Sequence, residues 1–137
     1  MNDRVKDKIN EIKEFLEELE KSLPKTFEEY KTDYKLRAIG EKYFEKIIKA
    51  VIDLSFMIMK LKNLEQPEYE KEIFDILAKE KIISSRLKEK LKDAKGMRNI
   101  IAYEYGRIDN ELVFHSLAEE LIPDVQEFLD VVENMFL

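Results

Sequence analysis

The sequence predicts an all-α fold, an up-and-down bundle of about five helices. Three observations carry this. Apolar residues recur at spacings of three and four along most of the chain, the signature of one buried helical face. Only 3 Gly and 3 Pro punctuate 137 residues, which favours long helices over many short strands. Hydrophobic residues make up 45% and charged residues 39%, enough for a real core under a densely ionic surface. The length points to a single domain spanning residues 1–137.

The first helix is expected over residues 3–22, where Val5, Ile9, Ile12, Leu16 and Leu19 form one stripe and Pro24 ends it. The second runs from about Thr26 to Leu64, with Thr26 and Glu29 at capping-box spacing. Its broad apolar face carries Tyr30, Tyr34, Ile39, Tyr43, Ile47, Ala50, Val51, Leu54, Ile58 and Leu61. It is long for a globular helix, and Asp33 and Gly40 are the places for a break. "NLEQPEY" (63–69) reads as a loop. A short third helix over about 69–79 is built on Ile73, Phe74, Ile76 and Leu77. The fourth starts at Ser84 or Ser85, either of which can cap it, and reaches at least Ile101. "GRIDN" (106–110) reads as a turn. The fifth, over about 110–136, carries Leu112, Val113, Leu117, Leu121, Val125, Phe128, Leu129, Val132 and Phe136, with Pro123 as a potential kink.

Several function classes are disfavoured. There is no cysteine, so no disulfide and no thiolate metal site, which fits a cytoplasmic protein. The start "MNDRVKDKINEIKEF" lacks the apolar region of a signal peptide, and no apolar run is long enough to span a membrane. A formal net charge of −6 argues against non-specific nucleic-acid binding, and no DNA partner is expected, although local patches can override the total. No Gly-rich phosphate loop and no GxSxG occurs. Glu17/Glu18 and Glu119/Glu120 are paired carboxylates, but di-metal bundles use Glu-x-x-His, and Leu112 stands three residues before His115. Neither a metal nor a cofactor is expected. His115 itself reads best as a helix-surface histidine.

The fourth helix departs from a generic bundle. At about 100° per residue, Leu87, Leu91, Ala94, Ile101 and Tyr105 share a stripe, and Arg98 falls in its middle. A guanidinium there is costly unless it is paired or faces a wet cleft or a partner. Snorkelling from the stripe's edge, or a salt bridge to a neighbouring helix, is the plainer reading. Residues 86–98 also hold Arg86, Lys88, Lys90, Lys92, Lys95 and Arg98 against only Glu89 and Asp93. Lys88, Lys92 and Lys95 lie on one side, a ridge that is either a solvated face or a surface for RNA or an acidic partner. Tyr103 and Tyr105 beside it offer stacking surfaces for unpaired bases.

"GMRNIIAYEYGRID" at the end of this helix resembles the signature of the HEPN superfamily, in its HepT-like toxin branch. The branch's pattern is Arg-Asn, three residues, His, one residue, Tyr, then a turn with Ile-Asp. "YKLRAIGEKYFEKIIKAVIDLSFMI" (34–58) is similar to the branch's long second helix, and "PEYEKEIFDILAKEKII" (67–83) to its short third helix and following turn. The resemblance covers nearly the whole chain from Tyr34. It implies an α-helical homodimer acting as a metal-independent endoribonuclease toxin on RNA, with the motif residues of both protomers lining a cleft at the interface. It also implies a partner, a nucleotidyltransferase antitoxin that silences the toxin by transferring AMP to the motif tyrosine. Carried onto this sequence, the catalytic residues are Arg98, Asn99 and the residue at the family histidine position, and the AMP acceptor is Tyr105.

The family histidine position holds Tyr103. Cleavage through the RNA 2′-hydroxyl needs a group that exchanges protons near neutral pH, and histidine with a pKa of about 6.5 does so readily. Tyrosine, at about 10, is a poor general base but can donate a proton or hydrogen bond. Arg98 can still stabilise the phosphorane-like charge. Loss of the base alone costs roughly 10²–10⁴ in rate, so a weakened or inactive ribonuclease is expected. The alternative is a non-catalytic helical partner that binds a nucleotidyltransferase. Positions 98 and 103 are about 140° apart on a regular helix, which suggests that one protomer alone brings them together poorly.

Overall fold

The structure, a computed structural model, describes residues 2–136 and is helical throughout its regular elements. Asn2 caps α1 (Asp3–Ser22), whose five buried residues, Val5, Ile9, Ile12, Leu16 and Leu19, are those of the predicted stripe. The second predicted helix is two. Thr26 caps α2 (Phe27–Thr32) by accepting from the Glu29 N–H. Asp33, with extended backbone, separates it from α3 (Tyr34–Leu61) and caps that helix through the Lys35 N–H. Of the two candidate break points, Asp33 is therefore the one used. Gly40 lies inside α3, a 28-residue helix about 42 Å long.

After a loop and a short 3₁₀ turn over Glu70–Glu72 come α4 (Ile73–Lys79) and α5 (Ser85–Tyr103), the latter capped by Ser84. A second 3₁₀ turn, Tyr105–Arg107, leads to Asp109, which caps α6 (Asn110–His115). α6 runs through one π-helical turn (Ser116–Glu120) into α7 (Leu121–Asn134). The irregularity expected at Pro123 is this wide turn. In a regular α-helix the proline ring would clash with the carbonyl four residues back, that of Glu119, and the π turn relieves this.

α3 is the spine: α1, α2, α4, α5 and α6 all pack on it, while α7 closes the bundle against α5 and α1. The core centres on Phe44, Ile47, Ile48, Leu54 and Ile58 of α3, with Phe74, Leu87, Leu91 and Phe128 from its neighbours. Five residues expected on apolar faces are exposed instead: Tyr34, Ile39, Leu61, Tyr105 and Leu112. Tyr34 and Leu61 are the terminal residues of α3, and Leu112 is in the first turn of the short α6, places where fewer neighbours cover a side chain.

Gly40 is buried because α3 is crossed closely there. A Cβ at this position would lie 2.9 Å from Leu117 Cδ1, 3.0 Å from Tyr30 Cε2 and 3.2 Å from the Tyr30 hydroxyl. The leucine tip can turn away. The Tyr30 ring cannot, since it is fully buried and packed in a tilted arrangement against Phe114 with centroids 5.2 Å apart, and burial raises its phenol pKa. Gly40→Ala is therefore expected to destabilise the fold by about 1–2 kcal/mol, overpacking outweighing the better helix propensity of alanine. Urea denaturation of the two proteins checks this; a stabilised variant would contradict the close crossing.

Candidate functional site

Arg98 is the one charged residue among the buried polar side chains of the described residues. It sits in the apolar stripe of α5, between Leu91 and Ile101, as the sequence required. Its charge is met from two directions. Nε donates to Asn99 Oδ1 at 2.9 Å, and Nη2 donates to Glu70 Oε2 at 3.3 Å. Glu70 lies on the 3₁₀ turn before α4, so the salt bridge ties that turn to α5. The guanidinium thus spends two of its five N–H donors and keeps three.

Those donors border an open cleft of about 300 Å³ between α3, α5 and the Glu70 turn. Lys46, Lys49 and Asp53 come from α3, and Arg98 and Tyr103 from α5. The cleft mixes signs. Lys49 is 3.4 Å from Asp53, which also lies 3.9 Å from Lys8. Lys46 leans over the Phe15 ring at 5.4 Å and the Tyr43 ring at 5.8 Å. The Tyr43 hydroxyl in turn donates to Glu18 at 2.6 Å, a bond to a carboxylate that raises the phenol pKa.

The 140° separation of positions 98 and 103 misleads. Both residues border this one cleft within a single chain. The Nε bond to Asn99 draws the arginine toward the side of α5 that Asn99 shares with Tyr103, four residues and about one turn further on. Tyr103 is the last residue of α5 and 77% exposed. Tyr105 is not part of the α5 stripe, contrary to expectation: the helix ends before it, Glu104 has non-helical backbone, and its ring is 71% exposed on the 3₁₀ turn. The two tyrosines, two residues apart, are exposed at the end of α5 and on the turn that follows it.

The basic ridge is largely paired within the chain. Lys92 bonds Asp75 of α4 at 3.0 Å, a contact that raises the ammonium pKa, and Lys88 lies 3.3 Å from Glu89. Lys90 pairs with Glu120 at 3.2 Å and Arg86 with Glu127. Lys95 of the ridge has no ion pair among the described residues. None of the three ridge lysines lines the Arg98 cleft; its cations are Lys46 and Lys49 instead. Sequence reasoning missed these two and Glu70. The only signal of the two lysines is a polar face on α3, and which elements meet that face is a tertiary matter. His115 lies outside the cleft at the end of α6, 3.1 Å from Glu119 and 3.9 Å from Glu120. Among the described residues no cluster of three or more His, Asp or Glu is arranged to hold a metal ion, and no helix is long and apolar enough to cross a membrane.

Comparison with known proteins matches the chain to one family. The family described as "Ribonuclease HepT-like" matches residues 9–132. The chain is 26% identical over 133 residues to the mRNA nuclease HepT of Shewanella oneidensis, covering 97% of this chain and 98% of that one. It is 33% identical over 92 residues to a putative RNase of Archaeoglobus fulgidus, covering 64% of this chain and 68% of the relative. Among solved structures, the tri-AMPylated HEPN toxin of Shewanella oneidensis, in complex with an MNT antitoxin, superposes with a TM-score of 0.90 at 25% identity, covering 98% of this chain and 99% of the other. The family match spans all of α3, α4 and α5, and with them every residue of the Arg98 cleft. This chain therefore belongs to the Ribonuclease HepT-like family, of the HEPN superfamily.

Proposed function

We propose that this protein is a cytoplasmic endoribonuclease toxin that cuts RNA at the Arg98 cleft and acts as a homodimer. The observation that carries the reading is Arg98. It is buried at a core-facing position, held from two sides, and left with donors beside a cleft that also holds Lys46, Lys49 and Tyr103. A fixed, desolvated guanidinium is suited to a phosphodiester oxygen whose charge grows in the transition state. Asn99 sets its orientation. Tyr103 supplies a phenolic proton, and Lys88, Lys92 and Lys95 lie further along α5 as secondary contacts for RNA or a partner, Lys95 the least encumbered. The relative from Shewanella oneidensis is an mRNA nuclease, which supports RNA as the substrate. The test is cleavage of an RNA oligonucleotide by the purified chain and by Tyr103→His, in buffer with chelator. Cleavage by neither excludes the ribonuclease reading.

The second half of the proposal is the control. Its partner is a nucleotidyltransferase antitoxin that transfers AMP to Tyr105 and thereby blocks RNA. Support comes from the exposure of Tyr105 and from the structurally similar HEPN toxin, which is AMPylated and bound to an MNT antitoxin. Incubation with such a nucleotidyltransferase and ATP is expected to add AMP, read by intact mass, and Tyr105→Phe to lose the modification at that residue. An unmodified chain would leave the antitoxin without this mechanism.

A further inference from the structure

We infer that Glu70 is the general base with which this chain cleaves RNA, in the role the family's histidine would otherwise fill. The inference rests on the ribonuclease reading above. Cleavage through the 2′-hydroxyl requires a group, unprotonated at neutral pH, that can accept its proton. The lysines, the arginine and the tyrosine of the cleft are hydrogen-bond donors, which leaves its carboxylates as the acceptors of that proton. Glu45 and Asp53 come from α3, and Asp53 is taken up by Lys49 and Lys8. Glu70 is the carboxylate that touches Arg98.

That contact fixes the geometry needed. A phosphate held by the free donors of Arg98 lies next to the Glu70 carboxylate, and so does the 2′-hydroxyl of the nucleotide it belongs to. Glu70 uses Oε2 toward Arg98, while Oε1 has no partner among the described residues. Its side chain is 53% exposed against 10% for that of Arg98, so substrate can reach the base while the arginine stays fixed. The backbone helps: Glu70 opens a 3₁₀ turn rather than projecting from a long helix face, and the turn leads directly into α4, which is anchored by Ile73 and Phe74.

The step balances without a further reagent. Glu70 takes the proton of the 2′-hydroxyl, and the 2′-oxygen forms a bond to phosphorus. The bond from phosphorus to the 5′-oxygen breaks, and the Tyr103 phenol gives that oxygen a proton. The products are a 2′,3′-cyclic phosphate and a 5′-hydroxyl. The proton on Glu70 returns to Tyr103 through water, and Arg98 holds the non-bridging oxygens throughout. The groups facing Glu70 across the cleft are Glu45, Lys46, Lys49 and Asp53 on α3 and Arg98 and Tyr103 on α5. None is a histidine.

The test compares the full chain, Glu70→Gln, Tyr103→His and the double variant on one RNA oligonucleotide with chelator present. Glu70→Gln is expected to lower the single-turnover rate of the parent chain at saturating RNA at least about 10-fold, and Glu70→Asp to restore part of it. In the Tyr103→His background the same replacement is expected to matter little, since imidazole then takes the proton. Three outcomes overturn the inference: a parent chain indifferent to Glu70→Gln, an equal loss in both backgrounds, which would make Glu70 only a support for Arg98, or cleavage by Tyr103→His alone. Cleavage by neither background refutes the ribonuclease reading itself.

Discussion

Tyr103→His is expected to raise the rate of RNA cleavage by about 10²-fold at neutral pH, toward the low end of what a general acid–base group contributes. The site is otherwise assembled: Arg98 is fixed, its donors border the cleft, and position 103 borders the same space. Tyrosine there is a hydrogen-bond and proton donor, whereas histidine moves a proton both ways. The gain falls short of the full range because Glu70 already serves as a base. Because Tyr103 is exposed at a helix end, the replacement leaves the core untouched and the melting temperature close to that of the parent. The measurement is single-turnover cleavage of labelled RNA from acid to mildly alkaline pH. A new acid limb at about pH 6.5, the ordinary imidazole value, accompanies the gain. An unchanged rate would place the chemistry elsewhere than at position 103.

Arg98→Ala is expected to reduce cleavage by about 10²–10³, the usual consequence of removing one transition-state donor in a desolvated site. Its effect on stability separates this role from a structural one. Glu70, the partner left behind, is about half exposed and rehydrates, so no buried unpaired charge remains. The cost is then mainly lost packing of the arginine stem and is expected to be about 1 kcal/mol. Activity and melting temperature measured on the same preparation decide between the two. A large fall in stability with cleavage unchanged would make Arg98 a strut between α5 and the Glu70 turn and nothing more. Arg98→Lys adds a finer reading, because an ammonium cannot keep both the Asn99 and the Glu70 contacts in the same planar geometry.

The sequence reveals those parts of the molecule that depend on neighbours in sequence. The α1 stripe, the Thr26 and Ser84 caps, the break at Asp33 and the C-terminal end of α4 follow from local periodicity and turn chemistry, whereas the 3₁₀ turn ahead of α4 does not. Arg98 is legible for the same reason, as a charge out of phase with its own helix. The cleft is not. Glu70 and Arg98 are 28 residues apart, and only the packing of α4 against α5 brings them together. Likewise Lys92 looks like an unpaired cation until Asp75, 17 residues earlier, is placed beside it. Charge runs show what a helix carries, but ion pairing across helices decides what it leaves for a ligand. Helical angles share this limit: a long arginine side chain and a terminal tyrosine border one cleft despite leaving the helix in different directions.

The π turn at Ser116–Glu120 bears on how this chain tolerates changes of length. Such a turn holds one residue more than the α-helical turn it replaces, without rotating the helix beyond it. Removal of one residue within it, with Pro123 exchanged for a residue bearing an N–H, would return the helix to regular winding and leave Val125, Phe128, Leu129 and Val132 facing the core as they do now. Removal of one residue just after it, between Leu121 and Val125, would turn those same four side chains by about 100° toward solvent. Ahead of these core residues, a one-residue deletion in a relative is therefore absorbed at the π turn rather than within α7.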